Sequence, residues 1–151
     1  MIPEILATLA CGMFAGAAVY VSFVEHPARL SCGVKLALTE WKPSYKRGTT
    51  KQASLAVIGS LLSALSWWLD KNVAWLIGGI LLFAVVPFTL IMILPTNKKL
   101  ESDELDSSSA QAEHHLRLWG KLHAVRSLLS FLAFVIFLIA LRYSALSLRR
   151  W

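Results

Sequence analysis

Four short stretches of this 151-residue chain carry the side chains that can do chemistry, and each stands at the end of an apolar run. After the first run come Glu25, His26, Pro27 and Arg29. Before the second stand Trp41, Lys42, Pro43, Tyr45 and Arg47; after the third, Pro95, Thr96 and Asn97; at the head of the fourth, Trp119, His123 and Arg126. Histidine titrates near neutral pH and is the commonest general base. Arginine holds negative charge developing on an oxygen, and indole or phenol rings stack on planar ligands. Trp119, His123 and Arg126 follow one another at i, i+4 and i+7, so on a helix they project from one stripe. At a membrane boundary such a stripe either faces the bundle or sits among headgroups as an anchor. For Glu25 and His26 the plain alternative is a helix end, since Pro27 disfavours helical geometry at the residue before it. Tyr20 either points its hydroxyl at the same region or belongs to an interfacial aromatic belt.

Glu25, His26 and His123 together would offer zinc or iron a carboxylate and two imidazoles. No local ligand spacing such as HExxH is present, however, and the adjacent His114 and His115 point to different faces of a helix. No metal is expected on that pattern. A haem clamped by His26 and His123 lacks an attachment motif, and phosphate-cradling glycine loops and nucleophile elbows are missing as well.

The elements that must position these residues follow from composition. The chain is 56% hydrophobic and only 16% charged, where a soluble domain carries about 25% charged residues. It belongs in a membrane. Its net charge of +6 would point to nucleic acid in a soluble protein. Here the basic residues cluster around apolar spans, where they anchor and orient helices, so no nucleic-acid partner is expected. Cys11 and Cys32 lie about 30 Å apart if helical, too far for a disulfide, and are expected to be free thiols.

Ile5 to Val24 is a run of twenty uncharged residues, which reaches about 30 Å as a helix and matches the hydrocarbon core. A cleaved signal peptide fits poorly: the N-terminus has no basic residue, and no small-residue cleavage pattern stands near Glu25. Ala53 to Leu69 and Asn72 to Asn97 give seventeen and twenty-six uncharged residues, separated only by Asp70 and Lys71. That tight connection makes the second and third spans antiparallel neighbours. The fourth run, Ser127 to Leu141, is fifteen residues long between Arg126 and Arg142. Both arginines can snorkel outward, and a capping-box pattern of Ser108 and Gln111 starts this helix well before the membrane. The expected fold class is all-α: one integral membrane four-helix bundle over residues 1–151, with helices about 4–26, 50–69, 72–95 and 108–147 and a polar loop over 98–109.

Eleven Lys and Arg residues fall on the side of the two long links and helix entries, against four (Lys71, Arg142, Arg149, Arg150) on the side of the termini. The positive-inside rule then puts the links in the cytosol and both termini outside. Trp67, Trp68, Trp75, Tyr143 and Trp151 form an aromatic belt on the terminal side. Gly12 and Gly16 form a small-xxx-small pair through which homo-oligomers are possible, although the pair also arises by chance in a Gly/Ala-rich helix. With this topology all four polar stretches meet on one face of the membrane.

The EHPARL stretch after the first span, W-x-P-x-Y-x-R entering the second, PTN after the third and W-x-x-x-H-x-x-R entering the fourth resemble an integral membrane family, largely of unknown function, that includes the fungal anthrone oxygenases. The similarity covers nearly the whole chain and its four-helix layout. In that family the characterised members oxidise an anthrone to an anthraquinone without a bound cofactor, which implies none here. The resemblance implies that Glu25, His26, Pro27, Trp41, Tyr45, Arg47, Pro95, Asn97, Trp119, His123 and Arg126 are the positions to watch. An anthrone is planar, apolar and mildly acidic at the reacting carbon, so it would reach the protein from the lipid. His123 or His26 would remove the proton, Arg126 or Arg47 would hold the enolate oxygen, and Trp41, Tyr45 and Trp119 would stack on the rings. Glu25 would orient a histidine or act as an alternative base. The competing expectation is a non-enzymatic binding or scaffolding protein, in which ion pairs such as Glu25 to Arg126 or Arg47 lock the helix ends together.

Overall fold

The computed structural model describes residues 1–148 and is helical almost throughout; Arg149, Arg150 and Trp151 lie outside the described residues. Four helices long and apolar enough to cross a membrane follow one another: α1 (Ile2–Ser31), α2 (Val34–Asp70), α3 (Val73–Glu101) and α4 (Ala110–Leu148). The chain is a multi-pass membrane protein. α1 and α3 each pack on both α2 and α4, so the four helices stand at the corners of an antiparallel square. The outer faces carry exposed Leu6, Met13, Leu61, Ile80, Phe83 and Leu138, an apolar surface suited to contact with lipid and costly to leave in water.

The helices begin and end differently from the expectation. α2 starts at Val34, not near residue 50, and α3 continues to Glu101 through the residues expected to leave it at 95. In the α2 extension Ala37, Leu38, Trp41 and Tyr45 recur at helical spacing and pack inward, while Lys35, Lys46, Arg47 and Lys51 stay outside. The loop therefore shrinks to residues 102–109. The N-cap of α4 is Ser109, whose hydroxyl accepts the Ala112 N–H at 3.1 Å, one residue later than Ser108. The α2–α3 turn is as tight as its sequence implies. Asp70 accepts the Asn72 N–H, Asn72 caps α3 through the Ala74 N–H, and Lys71 takes the left-handed conformation (φ 56°).

α1 and α3 are each interrupted by one π-helical turn, Val21–Glu25 and Thr89–Ile93. Each is followed, two residues on, by a proline, Pro27 or Pro95. The turns end in i to i−5 bonds, from the His26 N–H to the Val21 carbonyl and from the Leu94 N–H to the Thr89 carbonyl. Proline cannot donate to the carbonyl four residues back and its ring crowds it, so a widened turn lets the helix pass through the proline. Pro27 therefore does not end the first helix.

Two apolar clusters fill the interior. One, on the terminal side, is built on Ala7, Cys11, Phe14, Ala56, Trp75, Leu82 and Phe137; the other, on the loop side, on Ala37, Leu38, Trp41, Leu100, Leu116 and Trp119. Trp75 belongs to the first, fully buried, and not to the aromatic belt; its indole N–H donates to Asp70 Oδ2 at 3.1 Å. Trp68 and Tyr143 do face outward. Gly12 is taken up inside the chain, where a Cβ would lie 2.8 Å from the Phe134 ring, whereas Gly16 faces open space. Both cysteines are free, Cys11 buried and Cys32 exposed.

Candidate functional site

Between the two apolar clusters lies a cavity of about 60 Å³. α4 contributes Trp119, His123 and Arg126 to its wall, α2 contributes Trp41, Tyr45, Gly48, Thr49 and Gln52, α3 contributes Thr89, Ile93 and Asn97, and α1 contributes Val21 and Arg29. The i, i+4, i+7 stripe of α4 thus faces the bundle. Arg126 does not snorkel outward: it is 9% exposed, and its guanidinium carbon lies 5.0 Å from the centroid of the Phe14 ring. No ion pair or hydrogen bond to Arg126 occurs among the described residues. A buried guanidinium with a ring face for company and no carboxylate is costly inside a membrane bundle.

Other polar atoms on this wall share that condition. Trp41 Nε1, Trp119 Nε1, both amide atoms of Asn97 and Arg126 Nε are buried without hydrogen-bond partners. Buried polar groups are ordinarily paired, so this concentration of unpaired ones on residues that line one cavity is unusual. Apart from the amide oxygen of Asn97, all of these atoms are donors. Of the two arginines on the wall, Arg29 is paired with carboxylates and Arg126 is not, so the site is shaped for an acceptor-rich ligand that meets Arg126.

His123 is held by α1. Its Nδ1 lies 2.9 Å from the Ser22 hydroxyl, which lies 2.8 Å from the Ser127 hydroxyl. Ser127 in turn approaches the carbonyls of Ala18 (2.8 Å) and His123 (3.0 Å). Two oxygen acceptors at that distance require the Ser127 proton to point at one of them. Ser127 then accepts from Ser22, and Ser22 accepts from His123 Nδ1–H. The chain of donors fixes one tautomer and leaves Nε2, on the opposite edge of the ring, with a free lone pair.

The aromatic residues form a continuous stack around this histidine. Trp119 stacks on His123 (4.7 Å between centroids) and meets Trp41 edge-on (5.8 Å); Trp41 lies parallel to Tyr45 (4.9 Å). His26 packs on Trp119 at 4.9 Å and does not line the cavity. One of its nitrogens, Nε2, lies 3.0 Å from the Leu116 carbonyl, so it is the protonated one and donates there. That contact exists because residue 120 is glycine: a Cβ on Gly120 would lie 2.6 Å from the His26 ring.

Three positions singled out in the sequence lie elsewhere. Glu25 pairs with Arg29, not with Arg126, Arg47 or a histidine. Arg29 is sandwiched between Glu25 and Glu40, with the Ser44 hydroxyl donating to Glu25 at 3.0 Å. Arg47 is exposed on the outer side of α2. Tyr20 is 56% exposed and lines an external groove between α1 and α2, together with Glu25, Arg29, Cys32 and Glu40. The residues the sequence reading missed are Ser22 and Ser127, which hold His123, and the small residues Gly48, Thr49 and Thr89 of the wall; Arg29, singled out there without a role, also stands in the wall. Among the described residues no three His, Cys, Asp or Glu side chains gather as a metal site.

Residues 41–136 match the family model described as anthrone oxygenase. The chain belongs to the anthrone oxygenase family. That span contains Trp41, Tyr45, Asn97, Trp119, His123 and Arg126, and leaves out α1 with Glu25, His26 and Arg29. No curated protein and no solved structure matches the chain.

Proposed function

We propose that this family member is a cofactor-independent oxygenase acting on a planar, lipophilic aromatic ketone of the anthrone type, with His123 as its base. The observation that carries the reading is the pairing, on one buried cavity, of a histidine whose tautomer leaves Nε2 free with an arginine that has no counter-charge.

His123 Nε2 takes a proton from the CH₂ group opposite the ketone, and the charge that appears on the ketone oxygen is met by Arg126 and the unpaired N–H groups of Asn97, Trp41 and Trp119. The electron-rich carbon adds dioxygen, and the peroxide oxygen takes back the proton. Loss of the second C–H proton then breaks the O–O bond, leaving a carbonyl on carbon and one water. CH₂ and O₂ become C=O and H₂O, so the substrate supplies all the electrons and no further reductant is needed. A cavity of about 60 Å³ takes the reacting edge of a tricyclic molecule and not the whole, so the remaining rings extend past Gly48 through the α2–α3 gap. Nothing meets a Cβ within 4 Å at Gly48, which keeps that rim open.

The Glu25–Arg29–Glu40 network favours a structural role for Glu25, tying the end of α1 to α2, and His26 is proposed as a positioning residue that steadies Trp119. By the positive-inside rule this end of the bundle faces the cytosol. The test is oxygen consumption and quinone formation by protein in nanodiscs given a hydroxylated anthrone. His123→Ala and Arg126→Met should each lower turnover by about 10²-fold or more; wild-type rates in both variants would remove the assignments.

A further inference from the structure

Arg126 borders a second cavity, of about 100 Å³, on the terminal side of the first. Thr49, Thr89 and Arg126 line both. The rest of its wall is apolar: Phe14, Ala53, Val85, Val86 and Leu90. The two threonines add no free donor, because their hydroxyls donate to the Tyr45 carbonyl (2.8 Å) and the Val85 carbonyl (2.7 Å) of their own helices. Ala53 and Leu90, at its rim, are exposed on the outside of the bundle, within the uncharged stretches of α2 and α3, so the mouth opens toward lipid. Apolar cavities of comparable size stay dry and take up xenon or benzene, and this one is too small for a fused tricyclic ring.

Resting on the oxygenase reading, we infer that this second cavity is the dioxygen site: an apolar chamber that collects O₂ from the bilayer and delivers it at Arg126. Dioxygen is small, apolar and more soluble in hydrocarbon than in water, so a lipid-side chamber draws on the richer phase. The division suits the chemistry. The polar cavity receives the ketone, the apolar one receives the gas, and Arg126 lies on the wall of both.

The probe is dioxygen itself, whose paramagnetism speeds the relaxation of nearby methyl protons. In methyl-labelled protein in micelles under oxygen pressure, Val85 should relax several-fold faster than Leu82, Ala7 or Ala133, which are equally buried in the same apolar cluster. Filling the chamber by Val86→Phe should abolish the difference and raise the KM for oxygen several-fold, leaving the KM for the anthrone unchanged; Ala53→Leu, at the mouth, serves if Val86→Phe does not fold. Equal relaxation at Val85 and the control methyls, as when a lipid chain fills the chamber, overturns the inference, and so does an unchanged oxygen KM in the filled variant. If wild-type protein turns over no anthrone, the oxygenase reading falls, while the relaxation pattern still decides whether the gas site exists.

Discussion

Gly120→Ala offers the sharpest test of how the cavity wall is held. The added methyl would lie 2.6 Å from both Cδ2 and Nε2 of His26, well inside van der Waals contact. The imidazole cannot simply swing away, because its Nε2–H is bonded to the Leu116 carbonyl at 3.0 Å and its face rests on Trp119. Overpacking of this kind costs about 1–3 kcal/mol, and loss of the buried hydrogen bond adds about 1 kcal/mol. Replacing a mid-helix glycine by alanine returns about 1 kcal/mol of helix propensity. The net expectation is a destabilisation of about 1–3 kcal/mol. Gly16→Ala and Gly48→Ala are the controls. Both positions are helical and neither has an atom within 4 Å of the new Cβ, so both should stabilise by up to about 1 kcal/mol. Equilibrium unfolding in mixed micelles, followed by tryptophan fluorescence, reads all three. In the double variant with His26→Ala, most of the Gly120→Ala penalty should vanish, since the clashing ring is gone. If Gly120→Ala is as stable as the controls, or if the penalty persists without His26, the close approach of α1 and α4 is wrong.

Ser22→Ala removes the acceptor that fixes the His123 tautomer. Anthrone turnover should fall about tenfold or more with little change in stability, and Ser22→Thr should restore it. Asp70→Ala strips the Trp75 indole, the Ser144 hydroxyl and the Asn72 amide of one shared carboxylate; a loss of about 1.5–3 kcal/mol is expected in micelle unfolding, and a smaller one for Asp70→Asn, whose amide oxygen still accepts. Cys32 is exposed at the α1–α2 turn and Cys11 is buried. A membrane-impermeant maleimide should therefore label Cys32 only in vesicles exposing the cytosolic face and Cys11 in neither orientation; labelling of Cys32 from the opposite face would invert the proposed topology.

The fold was legible because its main determinant is arithmetic: runs of uncharged residues long enough to cross a bilayer, with turns too short for anything but antiparallel neighbours. The α4 stripe was legible for the same kind of reason, since spacings of four and three leave little doubt about a shared face. Arg47 illustrates the opposite case. It stands two residues from Tyr45, which on a helix is about 200° around, so it cannot share the face of Trp41 and Tyr45. It requires residues 34–49 to be helical, and the four lysine and arginine side chains of that stretch disguised its inward stripe. Arg29, three residues beyond His26, is the arginine that α1 turns inward.

The π turns account for what α-helical periodicity could not foresee. On α3, Val85, Thr89, Ile93 and Asn97 all face the two cavities, yet steps of four on an ideal α-helix drift by about 40° each. Three steps would carry Asn97 about 120° away from Val85, off the wall altogether. The turn Thr89–Ile93 holds more residues per turn and cancels much of that drift. On α1 the turn Val21–Glu25 does the same for Ala18, Ser22 and His26, which meet α4 at Ser127, His123 and Leu116. Each turn ends two residues before a proline that forbids the ordinary hydrogen bond. Pro27 and Pro95 look like helix terminators, but in this bundle they stabilise the widened turns that aim Ser22 at His123 and Asn97 at the cavity. Replacing either proline by alanine would permit the regular α register, and the side chains beyond it would rotate off the wall they now form.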